Sequence, residues 1–330
     1  MENQAKVIRA PSKRLPSGSR LVVGTIVVAV AVSAFGIYKL RGRKPRVIKF
    51  ENVKQSKLTN SGNAVVAAIS PDGKYVAYAT SVAGKETLLI KPVASPGGDI
   101  EIVPPSDGNY RGLSFSPDSK SIYYVRSSSG QPNTISRIST VGGPSTTLNK
   151  IVDSAATISP DGKYMSFLRG YPDQRETALI VSPVEGSGER KLTVMKSPSS
   201  FVVTVAPTWS PDGKQIAVGG RQDEGTNAQI VVINVTDGSF KPVGQKRWQE
   251  IRSLSWSVDG YSLIVSATEQ SARGAQLYQV LYPTGDVTQV TNDLSDYQQI
   301  SMTRDSSQIV TVQVVVSQGK RTRNVVLFSN

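Results

Sequence analysis

Six aspartates recur along the chain at a nearly constant spacing, and they are the acidic residues that stand out as candidates for chemistry. They are Asp72, Asp118, Asp161, Asp212, Asp259 and Asp305. Gathered into a ring, such carboxylates could bind a metal ion or act as general acid and base. In a short turn, by contrast, an aspartate accepts hydrogen bonds from nearby backbone N–H groups. Whether the six aspartates form a shared site or separate turns depends on the secondary-structure elements that hold them.

Two residue types that carry much of enzyme chemistry are missing, because the sequence contains no histidine and no cysteine. Their absence excludes the Ser-His-Asp triad, disulfides, thiolate nucleophiles and cysteine-ligated metals, and it removes the commonest general base. The sequence also lacks a G-x-S-x-G elbow and a G-x-x-x-x-G-K-[ST] phosphate loop. We therefore expect a binding protein rather than an enzyme, with no cofactor and no metal ion.

Each aspartate belongs to one copy of a phrase that occurs six times. The copies are ISPDGKYVAYA from Ile69, FSPDSKSIYYV from Phe115, ISPDGKYMSFL from Ile158, WSPDGKQIAVG from Trp209, WSVDGYSLIVS from Trp256 and MTRDSSQIVTV from Met302, with steps of 46, 43, 51, 47 and 46 residues. Proline, aspartate and glycine in this order predict a tight hairpin turn between two apolar strands. Repeats of this length built from short strands are typical of a β-propeller with one blade per repeat.

Further strand patterns predict four strands in each blade. Residues 177–181 are an example of a third strand and residues 190–193 of a fourth, but the sixth copy has only a third strand, at 324–328. Residues 55–59 match the missing fourth strand. We therefore predict an all-β fold, a six-bladed β-propeller over residues 50–330, in which roughly residues 47–59 form the outer strand of the last blade. Radial blades would hold the six aspartates apart, which favours their structural role in turns.

The pattern W-S-P-D-G-K-x-I-A, followed by a third strand and then by x-K-L-T, resembles the TolB-type, WD-repeat-like propeller family over about residues 47–330. Because this motif is structural, the resemblance implies a fold and no active-site residues. Family members that resemble this chain include a periplasmic propeller that binds envelope proteins. They also include propellers behind a membrane helix in bacterial receptor kinases and transcription regulators, and the gating propeller of prolyl-oligopeptidase-type enzymes.

The first fifty residues contain an apolar segment, LVVGTIVVAVAVSAFGIY at 21–38, that is free of charge. At about 1.5 Å per residue it is long enough to cross a bilayer core. We predict a basic tail over 1–20, a transmembrane helix over 21–40 and a basic juxtamembrane linker over 41–49. A cleavable signal peptide ending near Ala34 is the alternative. Five basic residues before the segment and six after it do not fix the orientation. The family resemblance implies a bacterial inner-membrane protein with its propeller in the periplasm.

The net charge of +13 does not indicate nucleic-acid binding, because it is concentrated outside the repeats. Residues 1–49 hold 11 Lys and Arg and one acid, whereas residues 50–330 hold 27 Lys and Arg and 24 acids. The basic linker could contact anionic lipid head groups, or it could be an ordinary solvated flank of the membrane segment. Without a basic domain, we expect no nucleic-acid partner.

Long loops at one end of the predicted propeller carry aromatic and arginine side chains, which are favoured anchors at interfaces. The residues of this kind are Tyr110, Arg111, Tyr171, Arg175, Arg221, Trp248 and Arg252. We expect them to form a face that binds an envelope protein, a peptide or a glycan. Alternatively, they are ordinary loop residues and Trp248 packs against a neighbouring blade. Trp209 and Trp256 precede their turns, and we expect them to wedge between blades.

These observations predict a non-enzymatic, membrane-anchored propeller that serves as an envelope sensor or interaction module, in the manner of the outer half of a signalling receptor. Two alternatives stay open. One is a periplasmic TolB-like scaffold released by signal cleavage, and the other is an accessory propeller that works beside a separate hydrolase.

Overall fold

The computed structural model describes residues 50, 53–94, 98–185, 187–222 and 225–329, together with the backbone but not the side chains of 149 and 150. The predicted basic tail (1–20), transmembrane helix (21–40) and basic linker (41–49) lie outside the described residues. In the part of the chain that is described, no helix has the length and apolar character needed to span a membrane.

The described residues form 25 strands and one short 3₁₀ helix, and the strands group into six antiparallel sheets. In chain order they are β1 (Lys54–Lys57); β2 (Ala64–Ile69), β3 (Tyr75–Val82), β4 (Lys85–Pro92) and β5 (Ile100–Ser106) of blade 1; β6 (Asn109–Phe115), β7 (Ser121–Ser127), β8 (Thr134–Ser139) and β9 (Thr146–Ile151) of blade 2; β10 (Thr157–Ile158), β11 (Tyr164–Tyr171), the 3₁₀ helix (Pro172–Gln174), β12 (Glu176–Pro183) and β13 (Arg190–Lys196) of blade 3; β14 (Ser200–Phe201), β15 (Thr208–Trp209), β16 (Gln215–Arg221), β17 (Gln229–Asn234) and β18 (Phe240–Pro242) of blade 4; β19 (Glu250–Trp256), β20 (Ser262–Thr268), β21 (Gln276–Leu281) and β22 (Val287–Gln289) of blade 5; and β23 (Asp296–Met302), β24 (Gln308–Ser317) and β25 (Lys320–Ser329) of blade 6.

The predicted all-β, six-bladed propeller with four-stranded blades is confirmed. Blade 4 departs from the regular pattern because its inner strand is split, so that both β14 and β15 pair with β16. The split follows from a turn in which the Val205 N–H donates to the Val202 carbonyl at 2.9 Å. Pro207, which cannot donate a backbone hydrogen bond, lies just before β15.

The sixth blade is completed from the N-terminal side of the propeller. Strand β1 pairs antiparallel with β25, with Lys54 opposite Ser329 and Lys57 opposite Val326. Beyond β1 the pairing continues, because the Leu58 N–H donates to the Val325 carbonyl at 2.8 Å. The Val325 N–H in turn donates to Thr59 Oγ1 at 2.9 Å. This closure covers the outer edge of the last blade, so that the ring has no open end there.

Apolar side chains fill the space between adjacent blades, and Trp209 and Trp256 are part of this core. Trp209 is 8% exposed, and its Nε1–H donates to the Thr157 carbonyl of blade 3 at 3.3 Å. Trp256 is also buried, in a cluster that combines blades 4 and 5, and its ring meets the Tyr282 ring edge-on at 5.1 Å. Both tryptophans therefore wedge between blades, as expected from their place before the turns.

Candidate functional site

The six turn aspartates close their own turns. In the first turn, Asp72 Oδ1 accepts hydrogen bonds from Ser70 Oγ at 2.6 Å and from the Lys74 N–H at 3.1 Å. Ser70 Oγ in turn accepts from the Tyr75 N–H at 3.0 Å. The pairs that contact the other aspartates are Ser116 and Lys120, Ser159 and Lys163, Ser210 and Lys214, Ser257 and Tyr261, and Thr303 and Ser307. This is the hydrogen bonding expected of an aspartate in a turn.

These hydrogen bonds also set the charge of the turns. The hydroxyl of the preceding serine and a backbone N–H hold the pKa values of Asp118, Asp161 and Asp212 below the usual range, because both groups favour the ionised carboxylate. Across the described ranges, no three acidic side chains gather into a group that could hold a metal ion. The six aspartates are therefore separate turn residues and do not form a common site.

The propeller has two different ends. We call the end that carries the six turn phrases and the loops between third and fourth strands the turn face. We call the opposite end the loop face; there the second strand of each blade joins the third, and each blade joins the next. The face predicted to bind a partner is the loop face.

A central channel of about 190 Å³ runs between the inner strands of the six blades. Arg111 of blade 2, Arg252 of blade 5 and Gln299 of blade 6 line it near the loop face. The Gln299 side-chain amide donates to the Arg111 carbonyl at 3.0 Å. Arg252 is held by ion pairs to Glu250 and Asp296, which raise the pKa of its guanidinium although burial opposes the shift. The channel mouth therefore presents two arginines from opposite sides of the ring.

Hydroxyl groups along the channel join neighbouring blades. None of these residues was predicted from the sequence to have this role. Ser114 Oγ donates to the Ala156 carbonyl at 2.7 Å, and Thr157 Oγ1 donates to the Pro207 carbonyl at 2.9 Å. Ser301 Oγ accepts from the Ile69 N–H at 3.0 Å. The signal was present in the repeats, because the residue two positions before the turn serine or threonine is Ser or Thr in five of the six copies.

Two of the predicted contact residues are buried, and the expectation that they are exposed is wrong. Tyr110 is 2% exposed, because as the second residue of β6 it points into the gap between blades 1 and 2, where its ring lies 5.5 Å from that of Tyr124. Trp248 is 1% exposed and packs on Tyr278 at 4.6 Å between ring centroids. A backbone bridge to Ala228 fixes Trp248 against blade 4, which is the alternative considered from the sequence.

The remaining predicted residues lie on the loop face but not in one cluster. Tyr171 and Arg175 line a cavity of about 360 Å³ beside Ser197 and Ser199. Arg175 has a left-handed backbone with φ of 52°, and its guanidinium donates to Ser197 Oγ at 3.1 Å. Arg221 donates to the Thr226 carbonyl at 3.2 Å and lines neither this cavity nor the channel. The structure thus brings Arg111 together with Arg252, and Tyr171 together with Arg175.

Arginine is distributed unevenly between the two faces. Of the 13 arginines in residues 50–330, ten lie nearer the loop-face end of their blades, namely Arg111, Arg126, Arg169, Arg175, Arg221, Arg247, Arg252, Arg273, Arg321 and Arg323. Among these ten, Arg111, Arg175, Arg247 and Arg273 are exposed and have no ion pair with a described carboxylate. These exposed arginines give the loop face cationic groups that can contact an anionic surface.

Larger cavities lie on the turn face, where the sequence predicted no binding site. One, of about 750 Å³, lies between blades 3 and 4, and another, of about 710 Å³, lies between blades 2 and 3. Trp209 and Tyr164 line the first cavity, and Tyr123 and Arg137 line the second. The fold therefore offers two distinct surfaces for ligands, one at each end.

The sequence matches no family model and no curated protein, but the fold is similar to solved structures. TolB from Acinetobacter baumannii superposes with a TM-score of 0.60 at 18% identity; the match covers 79% of this chain and 64% of that protein's length. An oligogalacturonate lyase from Vibrio parahaemolyticus superposes with a TM-score of 0.56 at 11% identity, covering 84% of this chain and 94% of the lyase. The hydrazine synthase of Kuenenia stuttgartiensis gives 0.52 at 13% identity, covering 81% and 80%.

These similarities concern the fold, because each identity is below one fifth. Two of the three similar proteins are named as enzymes, so the propeller architecture alone does not separate binding from catalysis. The turn phrases, the four-stranded blades and the superposition on TolB agree with one another. In its fold, the chain is a six-bladed β-propeller similar to the propeller of TolB.

Proposed function

We propose that this protein is a non-enzymatic interaction module whose loop face binds an acidic surface of an envelope protein. The exposed arginines of the loop face carry this proposal. Arg111 is exposed, and its Nε donates to Ser127 Oγ at 3.1 Å, which fixes the base of the side chain. The Arg175 guanidinium is held at its tip, because Nη2 donates to Ser197 Oγ at 3.1 Å. Pre-positioned arginines lose little side-chain entropy on binding and can contact carboxylates through two parallel hydrogen bonds.

A protein partner fits this face better than a small substrate. The cationic side chains are spread across blades 2, 3 and 5, whereas the channel between them holds only about 190 Å³. A broad surface with scattered arginine anchors is typical of protein recognition, in which a few central residues dominate the binding energy. The similarity of the fold to that of TolB also supports a role in protein interaction.

For location, we propose a single-pass anchor at residues 21–40 in the bacterial inner membrane, with the propeller in the periplasm. The charge-free segment at 21–38 and the basic residues on both of its sides support the anchor. Binding at the loop face would then be the sensing step of a receptor or the attachment step of a scaffold. A reporter fused after residue 330 that is active on one side of the membrane tests this location. Activity in the cytoplasm would refute it.

The binding proposal is tested by reversing charge on one face at a time. We expect Arg111→Glu combined with Arg175→Glu to abolish co-purification of a cross-linked envelope protein, measured by quantitative mass spectrometry of the full-length chain. The matched control is Lys74→Glu combined with Lys214→Glu, which makes the same change in net charge on the turn face, where both lysines are exposed. If the control loses the same partner, or if the loop-face variant retains it, the loop face is not the binding surface.

A further inference from the structure

Two adjacent cavities on the turn face share part of their lining and together extend across three blades. The cavity between blades 2 and 3 and the cavity between blades 3 and 4 share Pro160, Asp161 and Pro183. Each is bounded by the turns of two successive blades, with Pro117 and Pro160 in one and Pro160 and Pro211 in the other. We call the combined surface the double groove. Its two halves share one arrangement of turns, because they arise from successive repeats, but their side chains differ, since Tyr164 of one half stands where the other has Ser121.

The charged groups of the double groove balance. Its carboxylates are Asp118, Asp161, Glu185 and Asp212, and its cations are Arg137, Lys163, Arg190 and Arg304. Four negative and four positive groups leave no net charge, so the groove has no electrostatic preference for an anionic or a cationic ligand. This separates it from the loop face, where arginine predominates.

Several of these groups are held in place by the protein itself. Arg190 donates to the Val235 carbonyl at 3.2 Å, and Arg304 donates to the Pro117 carbonyl. Arg137 is paired with Glu185. Asp161 Oδ1 is occupied by Ser159 and by the Lys163 N–H. The groove therefore presents hydrogen-bond donors and acceptors whose side chains are already held in place. These side chains need little reorganisation when a ligand binds.

A hydroxyl group matches such a lining, because it donates and accepts hydrogen bonds at the same time. The apolar part of the lining offers a complementary surface. The Tyr164 ring is 45% exposed at the groove, and Trp209 and the prolines form apolar walls. A ring that is apolar on its faces and carries hydroxyls around its edge matches both the polar groups and the apolar walls of the lining. Sugars have this construction.

We propose that the double groove binds a linear, uncharged oligosaccharide, with successive sugar units in the two halves of the groove. The repeat supplies the reason for a chain rather than a single sugar. Asp161 lies in both halves, and equivalent turn residues bound each half. A polymer of identical units meets the same arrangement of turns as it passes from one blade interface to the next.

A peptide fits the groove less well. Recognition of proline-rich segments uses several exposed aromatic rings in a row, and recognition by strand addition needs a free sheet edge. Within the described lining, Tyr164 is the aromatic residue with an exposed ring, because Tyr123 and Trp209 are 5% and 8% exposed. The lining also comes from turns and blade interfaces rather than from a strand edge. The lining therefore suits a sugar chain better than a peptide, and peptide binding would contradict the proposal.

The experiment uses the full-length chain in mild detergent and linear gluco-, manno-, galacto- and N-acetylglucosamine oligosaccharides of two to six units. We expect at least one series to bind, with affinity that rises from two to four units as both halves of the groove become occupied. Isothermal titration calorimetry then compares Tyr164→Ala with Tyr75→Ala. Tyr75 occupies the equivalent position of the first turn, is 37% exposed and lies outside the double groove.

The expected result is a loss of affinity of tenfold or more for Tyr164→Ala and less than twofold for Tyr75→Ala, while Tyr164→Phe retains binding because its ring still packs on the sugar. Circular dichroism of each variant excludes misfolding as the cause. Binding of no series at millimolar concentration overturns the proposal. Equal losses for Tyr164→Ala and Tyr75→Ala, or binding of charged oligosaccharides or proline-rich peptides in place of the uncharged sugars, also overturn it. Charge reversal at Arg111 and Arg175 leaves sugar binding unchanged, which keeps this test separate from that of the loop face.

Discussion

At the residue scale, the turn aspartates make an acid-sensitive contribution to stability. The pKa of Asp118 is lowered chiefly by the hydrogen bond from Ser116 Oγ. A carboxylate with a lowered folded-state pKa stabilises the protein above its unfolded pKa of about 3.9, and this contribution is lost as the pH falls through the folded-state value. The relevant window therefore lies below about pH 4.

We predict that Ser116→Ala lowers the free energy of unfolding by about 1 kcal/mol at pH 6, because the aspartate loses a hydrogen bond to its charged form. The difference from the unaltered protein should persist down to about pH 4 and shrink as the pH falls further, since a protonated Asp118 gains less from that donor. Urea denaturation at each pH measures both values. A difference that stays constant over this range would show that the charge of Asp118 is not involved.

A second prediction concerns the hydroxyls between blades. Thr157→Val keeps the shape of the side chain but leaves the Pro207 carbonyl without its donor at 2.9 Å. We expect a loss of about 1–2 kcal/mol in the free energy of unfolding. Thr147→Val is the control, because the Thr147 hydroxyl has only an exposed contact of 3.4 Å with Ser136 inside its own blade. Equal effects of the two changes in urea denaturation would contradict the role in joining blades.

Residue roles were predictable where they depend on local sequence and not where they depend on packing between blades. The place of Asp72 between proline and glycine predicts its turn, because the hydrogen-bond partners lie two residues away. The burial of Tyr110 and Trp248 depends on the neighbouring blades, which the length of a loop does not reveal. The double groove was missed for the same reason, since each half forms only where two blades meet.

At the element scale, β1 closes the ring through hydrogen bonds whose direction alternates along the strand. The Leu58 N–H points to β25, so the Ser56 N–H also points to β25 and the Gln55 N–H points away. We predict that Ser56→Pro lowers the free energy of unfolding by about 2–3 kcal/mol, because it removes a donor from the ladder. Gln55→Pro should cost clearly less. If chemical denaturation gives the same value for both variants, the register of β1 differs from that described here.

The closure strand was predictable, whereas the split inner strand of blade 4 was not. The fourth-strand pattern of residues 190–193 recurs at 55–59, so a comparison of the repeats locates the closing strand. Residues 201–206 read as one strand, because Thr204 is their only polar residue, and the turn between Val202 and Val205 has no glycine to mark it. Tertiary packing of Val202 and Val205 in the core between blades 4 and 5 outweighs the strand preference of that run.

At the scale of the whole molecule, six blades joined in a ring should unfold as one unit. Trp209, Trp248 and Trp256 all lie in blades 4 and 5 or between them, so their fluorescence reports one side of the ring. Circular dichroism reports all six blades. We predict coincident denaturation curves from the two signals, as in a two-state transition. Deletion of residues 54–57 opens the ring beside blade 6 and should separate the curves. Separate curves for the intact chain would contradict cooperative closure.

The pairing of β1 with β25 also determines how the propeller responds to mechanical force. Lys54 lies opposite Ser329, which itself pairs with Gln308 beside the sixth turn, so the chain enters the propeller at the turn face. A pull on the chain at Lys54, with the blades held, acts along β1 and therefore parallel to β25. The bonds between the strands are then loaded in shear and share the load instead of breaking one after another. The strand that closes the ring is thus oriented to resist tension from its own N-terminal side.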